Sequence, residues 1–225
     1  MSDCKKIRTY FCETGLKTIY FNFKYLPFRQ AIRLPVLLSR KVYLKETAGK
    51  IIIEGPVKFG MIRIGYDGVG IFDYKYSRAI WQVSGTVVFK GRALIGHGSK
   101  ISVGKEGKLV FGDNIIITAE SAIIALKKVV EFGNDCLLAW DILIMDNDFH
   151  SILDGKGDAI NDPANIKIGN HVWIGCRSLI LKGSIIPDNS IIAAGSRVSK
   201  QLIGENKLFG GQPAEEKKAN VSWKL

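Results

Sequence analysis

From Ile168 to Val198 a β-branched residue recurs at every sixth position: Ile168, Ile174, Ile180, Ile186, Ile192 and Val198. Six is not a helical period, because a helix returns its side chains to one face at intervals of three and four. It is even, so it suits the alternation of a strand, but a strand as long as this series would far exceed the usual length of about 5–6 residues. A coil of three short strands, each strand and its corner using six residues, satisfies both facts. The beat recurs upstream in Val83, Phe89, Ile95 and Ile101, in Phe111, Ile117, Ile123 and Val129, and in Phe132, Leu138 and Ile144. Its phase slips at 102–110 and at 130–131, where small insertions are expected.

A second signal has a period of eighteen. The turn-forming triplets Gly112-Asp113-Asn114, Gly133-Asn134-Asp135, Gly169-Asn170-His171 and Pro187-Asp188-Asn189 each follow a beat residue, at spacings of 21, 36 and 18. Gly, Asn and Asp tolerate the backbone angles of tight corners. One such signal per eighteen residues predicts three strands per coil, with Ile168 stacked on Ile186 and Ile174 on Ile192. The fold class is all-β: a three-sided parallel β-helix whose core is a prism of β-branched side chains.

The beat breaks once. After Ile144 the in-phase positions are His150, Lys156 and Asp162, none of them apolar, and residues 145–167 are rich in Gly, Asp and Asn. They read as an excursion loop thrown out from the prism, the kind of segment that carries function in a repeat protein.

Residues 1–48 do not follow the beat. Leu16, Ile19, Tyr20 and Phe23 have the spacing of one face of a short amphipathic helix. Residues 1–45 hold ten Lys or Arg against Asp3 and Glu13, and so supply +8 of the chain's net +11. Two readings stay open: a cap over the end of the prism, or a basic, aromatic segment lying on a membrane surface. Anionic lipid and acidic glycan are the partners this charge suggests, and no nucleic-acid signature accompanies it. Residues 49–212 form the β-helix and 213–225 a tail that departs from it.

The four cysteines, Cys4, Cys12, Cys136 and Cys176, form no CxxC pair and read as reduced thiols. No apolar run approaches the roughly 20 residues that span a bilayer, and the N-terminus does not read as a signal peptide. A cytoplasmic protein is expected, with the inner face of the membrane left open as its place.

Residues 166–200 contain Val-Trp-Ile-Gly at 172–175 and Ala-Ala-Gly-Ser at 193–196, followed by Gly-Gly-Gln-Pro-Ala at 210–214. In order and spacing these resemble the C-terminal coils of the hexapeptide-repeat acyltransferases. That superfamily includes galactoside, maltose and chloramphenicol acetyltransferases and the O-acetyltransferases of surface polysaccharides. The resemblance implies a left-handed coil, acetyl-CoA as acyl donor, no metal, and a homotrimer with sites between subunits. It also implies a catalytic His150, placed in the excursion. An imidazole can take the proton of an attacking hydroxyl and return it to the departing thiolate. Asp148 or Asp146 would orient the ring.

For the cofactor, the resemblance implies Trp173 along a pantetheine groove with Gly175, Cys176, Ala194, Ser199 and Lys200. Small residues at Ala194 and Gly195 would allow close backbone approach, Lys200 would meet a phosphate, and amides near Gly175 and Cys176 would hold an oxyanion. Neither Cys136 nor Cys176 is expected to be a nucleophile. Glu120 and Ser121 stand where small-sugar enzymes carry an acceptor-binding Asn, and Trp140 is a candidate platform for a sugar ring. His97 and His171 read as corner residues. The gaps of 53 and 21 between the three histidines argue against a zinc site. The leading reading is O-acetylation of a sugar hydroxyl in a surface polysaccharide or its precursor. A small-molecule or antibiotic acetyltransferase and a non-catalytic scaffold are the alternatives.

Overall fold

The computed structural model describes residues 15–224. Cys4, Cys12 and the basic residues Lys5, Lys6 and Arg8 lie outside them.

Three parallel sheets form the faces of a prism. The first face runs through Val36–Leu38, Ile62–Tyr66, Ala93–Gly96, Ile115–Ala119, Leu137–Trp140, Trp173–Ile174, Ile191–Ile192 and Lys207–Gly210. The second runs through Val42–Thr47, Ala79–Val83, Lys100–Val103, Ala122–Ala125, Leu143–Met145, Leu179–Leu181 and Arg197–Val198. The third holds Lys50–Ile53, Thr86–Phe89, Lys108–Phe111, Val129–Phe132, Ile166–Ile168 and Ile185–Ile186. The chain visits the faces in that order, so each circuit is one coil. The first coil starts at Val36, upstream of the boundary drawn from the beat.

Beat residues stack as their spacing predicts. Ile168 pairs with Ile186, Ile174 with Ile192 and Ile180 with Val198. On the third face Phe89, Phe111 and Phe132 stack ring on ring, with centroids 5.2 and 5.4 Å apart. All three are buried, and a fully buried side chain of this size contributes roughly 1.5–3 kcal/mol.

Two beat assignments shift. Trp81, not Val83, stacks beside Ile101, while Val83 pairs with Val103 as a second inward residue. Val129 pairs with Lys108 and is only half-buried. The coil carries three extra residues between Ile123 and Phe132, so the slip begins earlier than 130. A lone apolar residue in phase looks the same in sequence whether or not its strand has gained a residue.

The turn triplets build one edge of the prism. Asn134 Oδ1 accepts from the Asp113 amide, Asn170 Oδ1 from the Asn134 amide and Asp188 Oδ1 from the Asn170 amide, each at 2.8 Å. Asn114, Asp135, His171 and Asn189 take left-handed backbone angles there. At Gly133 a Cβ would come within 2.6 Å of the Gly169 backbone, so the next coil excludes any side chain. A further beat accompanies the aliphatic one: Ser178, Ser184, Ser190 and Ser196 are all buried. Their hydroxyls donate to corner carbonyls, as from Ser178 to Gly175 at 2.8 Å and from Ser196 to Ala193 at 2.6 Å.

The helix Lys17–Tyr25 closes the first coil. Its Thr18 and Asn22 side chains act as a substitute strand. Thr18 Oγ1 accepts from the Leu38 amide at 2.9 Å, and Asn22 Nδ2 donates to the Val36 carbonyl at 2.7 Å. Phe21 enters the core edge-on to Trp81, at 5.3 Å. On the cap reading, Leu16, Ile19, Tyr20 and Phe23 would form the face that packs on the prism. In the structure that face points away from the prism and is exposed. The free edge of Val36–Leu38 needs hydrogen-bond partners, and this requirement outweighs burial of the more apolar face.

At the other end the tail does not depart. Glu215–Ala219 folds back antiparallel on Lys207–Gly210.

Candidate active site

The excursion spans residues 146–165 and leaves the prism at the edge between the second and third faces. Its neck is built on Asp146, which is fully buried. The Asp146 carboxylate accepts from the amides of Leu126, Lys127 and Lys128 at 3.0, 2.8 and 2.6 Å, and its carbonyl accepts from the Ala164 amide at 3.1 Å. Asp146 therefore anchors the loop: its carboxylate is committed to these three amides and to Asn147 Nδ2, and among the described residues it bonds no histidine.

Outside the neck, Asn161 ties the two strands of the loop together. Its Nδ2 donates to Asp148 Oδ2 at 2.8 Å and to the His150 carbonyl at 2.9 Å, and its Oδ1 accepts from the Ile152 amide at 2.7 Å. Lys182, from the following coil, donates to Asp148 Oδ2 and to the Asn161 carbonyl, both at 2.6 Å. The His150 side chain is exposed, and its ring makes no hydrogen bond among the described residues. Asp148 is thus held by Lys182 and Asn161, and its link to His150 runs through Asn161 and the backbone. Sequence reading missed both Asn161 and Lys182, since neither lies in a motif.

The hydrogen bonds from Lys182 and then Asn161 hold the Asp148 carboxyl below the usual carboxylate range. A lowered value means the clamp is present above the unfolded carboxyl's pKa of about 3.9 and is lost as pH falls through the lower folded value. Above about pH 5 the Asp148 carboxylate is therefore ionised in both states and its part in the anchorage does not vary. Removing the anchorage by Asn161→Ala or Lys182→Met is expected to free the excursion, so limited proteolysis at 149–160 should accelerate. Unchanged cleavage in both variants would show that the clamp does not hold the loop.

The remaining sequence-selected residues fall on two other parts of the prism. Trp173 stands on the first face, partly exposed. Trp223 from the tail stacks on His171 at 4.4 Å and tilts against Trp173 at 6.3 Å. Trp223 Nε1 donates to the His171 carbonyl at 2.9 Å. This aromatic wall beside Trp173 was invisible in the sequence, because the tail carries no repeat.

Glu120, Trp140, Gly175, Cys176 and Ala194 line the edge between the first and second faces. Backbone bonds tie it coil to coil, from Glu120 N to His97 O, Arg177 N to Trp140 O and Gly195 N to Cys176 O. The smallness of Gly175 has a structural cause: a Cβ there would sit 2.5 Å from the Ala194 amide. Gly195 has open space around it, so its need is not close approach but its φ of +70°. Burial opposes ionisation of Glu120, yet hydrogen bonds from Lys100, at 2.5 Å, and from Ser77 outweigh it and hold its pKa low. The Glu120 carboxylate is committed to these internal partners. His97 is buried at the same corner, with Tyr74 of the 67–78 insertion 4.5 Å from its ring.

Ser199 and Lys200 follow Val198 at the excursion edge, one coil beyond Lys182, so the structure groups them with His150 and not with Trp173. Cys136 is buried with Sγ 3.2 Å from the Gly169 carbonyl, and burial pushes its thiol up to about 12. That suits packing and not attack.

Residues 165–200 match the family described as bacterial transferase hexapeptide (six repeats). The chain is similar to a polysialic acid O-acetyltransferase of Neisseria meningitidis, at 33% identity over 56% of each chain. It is also similar to the putative lipopolysaccharide biosynthesis O-acetyl transferase WbbJ of Escherichia coli, at 28% identity over 63% of this chain and 76% of that one. The chain spans 56% and 39% of the two polysialic acid O-acetyltransferases it matches. Its fold superposes on the polySia-specific acetyltransferase NeuO with a TM-score of 0.55, at 22% identity, covering 82% of this chain and 89% of that one. OatWY, another polysialic acid O-acetyltransferase, gives the same TM-score.

The repeat and the superposition define the class: a left-handed parallel β-helix of the hexapeptide-repeat type. Within that class the chain resembles the O-acetyltransferases of surface polysaccharides.

Proposed function

We propose that this chain is a CoA-dependent O-acetyltransferase acting on a sugar hydroxyl of a surface polysaccharide or its precursor, with His150 as general base. The observation that carries the reading is the 146–165 excursion, which presents an exposed His150 on a loop clamped by Asn161 and Lys182. The names of the similar proteins supply the substrate class. In this mechanism His150 takes the acceptor hydroxyl's proton as its oxygen attacks the thioester carbonyl. The C–S bond then breaks and the proton passes to the leaving thiolate. Acetyl-CoA is the acyl donor, with its pantetheine arm beside Trp173 and backbone amides near Gly175 and Cys176 facing the oxyanion.

His150 and Trp173 leave one prism on opposite sides, the excursion edge and the first face. A complete site therefore needs the loop of one chain against the first face of another, which supports a homotrimer with shared sites. The exposed Phe149, Ile152, Leu153 and Ile160 on the loop suit such a contact.

The test is acetyl-CoA turnover with oligosialic and lipid-linked oligosaccharide acceptors beside small acceptors such as chloramphenicol, with products weighed by mass spectrometry. Acetylation of the glycans is expected, and transfer to the small acceptors alone would overturn the substrate class. Co-refolding His150→Ala with Trp173→Ala chains should restore about a quarter of wild-type turnover, the share of randomly mixed sites that receive both intact halves. No recovery would show that each site lies within one chain.

A further inference from the structure

The outward face of the Lys17–Tyr25 helix has no partner among the described residues. Leu16, Ile19, Tyr20 and Phe23 project from it, and Phe28 and Ile32 of the next turn extend the patch, with the Phe23 and Phe28 rings 6.0 Å apart. At 100° per residue, the four helix residues lie opposite Thr18, Phe21, Asn22 and Tyr25, the side fixed to the prism. This is the inverse of a surface helix that buries its apolar stripe.

The charge around the patch has one sign. Residues 15–45 hold seven Lys or Arg and no acid. Lys24, Arg29 and Arg40 are exposed, and none forms an ion pair among the described residues. Lys24 sits on the helix flank, where it would meet headgroups if the apolar stripe faced acyl chains, while the Lys17 ammonium turns back to the Val42 carbonyl at 2.8 Å. No described helix is long and apolar enough to cross a membrane, so contact through this face would be interfacial.

We propose that this face docks the protein on an anionic lipid bilayer. The apolar stripe enters the headgroup boundary, and the surrounding Lys and Arg side chains meet lipid phosphates. A soluble acidic glycan would satisfy the cations but would leave six large apolar side chains in water, so the pattern favours lipid. The excursion leaves the fifth coil, four coil steps of about 4.8 Å from the first. Docking would therefore hold the excursion about 20 Å beyond the first coil, with the thickness of the helix between that coil and the bilayer. The inference does not depend on the acyl-transfer chemistry.

The experiment is flotation of the full chain with vesicles of phosphatidylglycerol and phosphatidylcholine, and with phosphatidylcholine alone. Binding is expected only with the anionic vesicles, and weakened by salt. The double variant Ile19→Asp, Phe23→Asp should abolish it while leaving the far-ultraviolet spectrum and acetyl-CoA turnover in solution unchanged. The pair Lys24→Gln, Arg29→Gln should lower partitioning at least about tenfold, since each cation near an anionic surface is worth roughly a fivefold change. Absence of binding to the anionic vesicles would overturn the proposal, as would full binding by the aspartate variant. A change of oligomeric state in the aspartate variant would also overturn it, by showing that a second copy of the chain covers the face.

Discussion

Replacing His150 by alanine is expected to lower kcat for acetyl transfer by about two to four orders of magnitude, with the KM for acetyl-CoA nearly unchanged. A hydroxyl is a poor nucleophile at neutral pH, and a positioned base contributes that range. The split between kcat and KM follows from the geometry, because the pantetheine groove proposed beside Trp173 lies on a different face from the excursion edge. The loop should survive the change, since Asn161 holds the carbonyl of residue 150 and not its ring. Thermal unfolding should therefore move little. Turnover equal to wild type would sink the mechanism, while a matching loss of stability would point to a structural role for the ring.

Phe111→Ala is expected to destabilise the fold by about 3–5 kcal/mol, the range for removing a buried aromatic side chain. Phe111 is fully buried between Phe89 and Phe132, so truncation opens a void with rings above and below it. The prism walls are hydrogen-bonded ladders on both sides of this strand and leave little room to collapse into the gap. Stability in a repeat fold is carried by neighbouring coils, so damage at the third coil also weakens the junction between the ends. Urea unfolding would measure the loss. A change below about 1 kcal/mol would show that the aromatic column is not a principal source of stability.

The coil itself was legible because each coil repeats the same physical problem. Every circuit must place an apolar side chain on each inner wall and turn three corners, so the solution recurs in the chain as a beat of six and a signal near eighteen. The serine beat is equally present in the sequence, with the same period of six as the aliphatic one. The assignments that moved share one cause. Val83 yields its place to Trp81, and Val129 points away from the core, because inserted residues change which side chain faces in without disturbing the local pattern. The helix residues Leu16, Ile19, Tyr20 and Phe23 carried a correct period that left their direction open between cap and membrane surface. Periodicity identifies a common face; it does not identify what that face meets.

The candidate site divides in the same way. His150 was found from the single failure of the beat. Asn161 and Lys182 were not, because their roles depend on contacts across the loop and to the next coil. Asp146, one of two candidates for orienting the ring, is instead buried beneath the loop as the anchor of the neck.

The sequence by itself determined a three-sided coil, its stacking register over the last coils, and the one interruption that bears a histidine. These follow from local repetition, in which each residue's place depends on neighbours six and eighteen positions away. Only the tertiary structure decided the edge on which each site residue stands, His150 on one and Trp173 across the prism, and the side of the N-terminal helix left bare. Those outcomes depend on accumulated slips of phase and on the hydrogen bonds owed to a free strand edge, and neither is recorded at any single position in the chain.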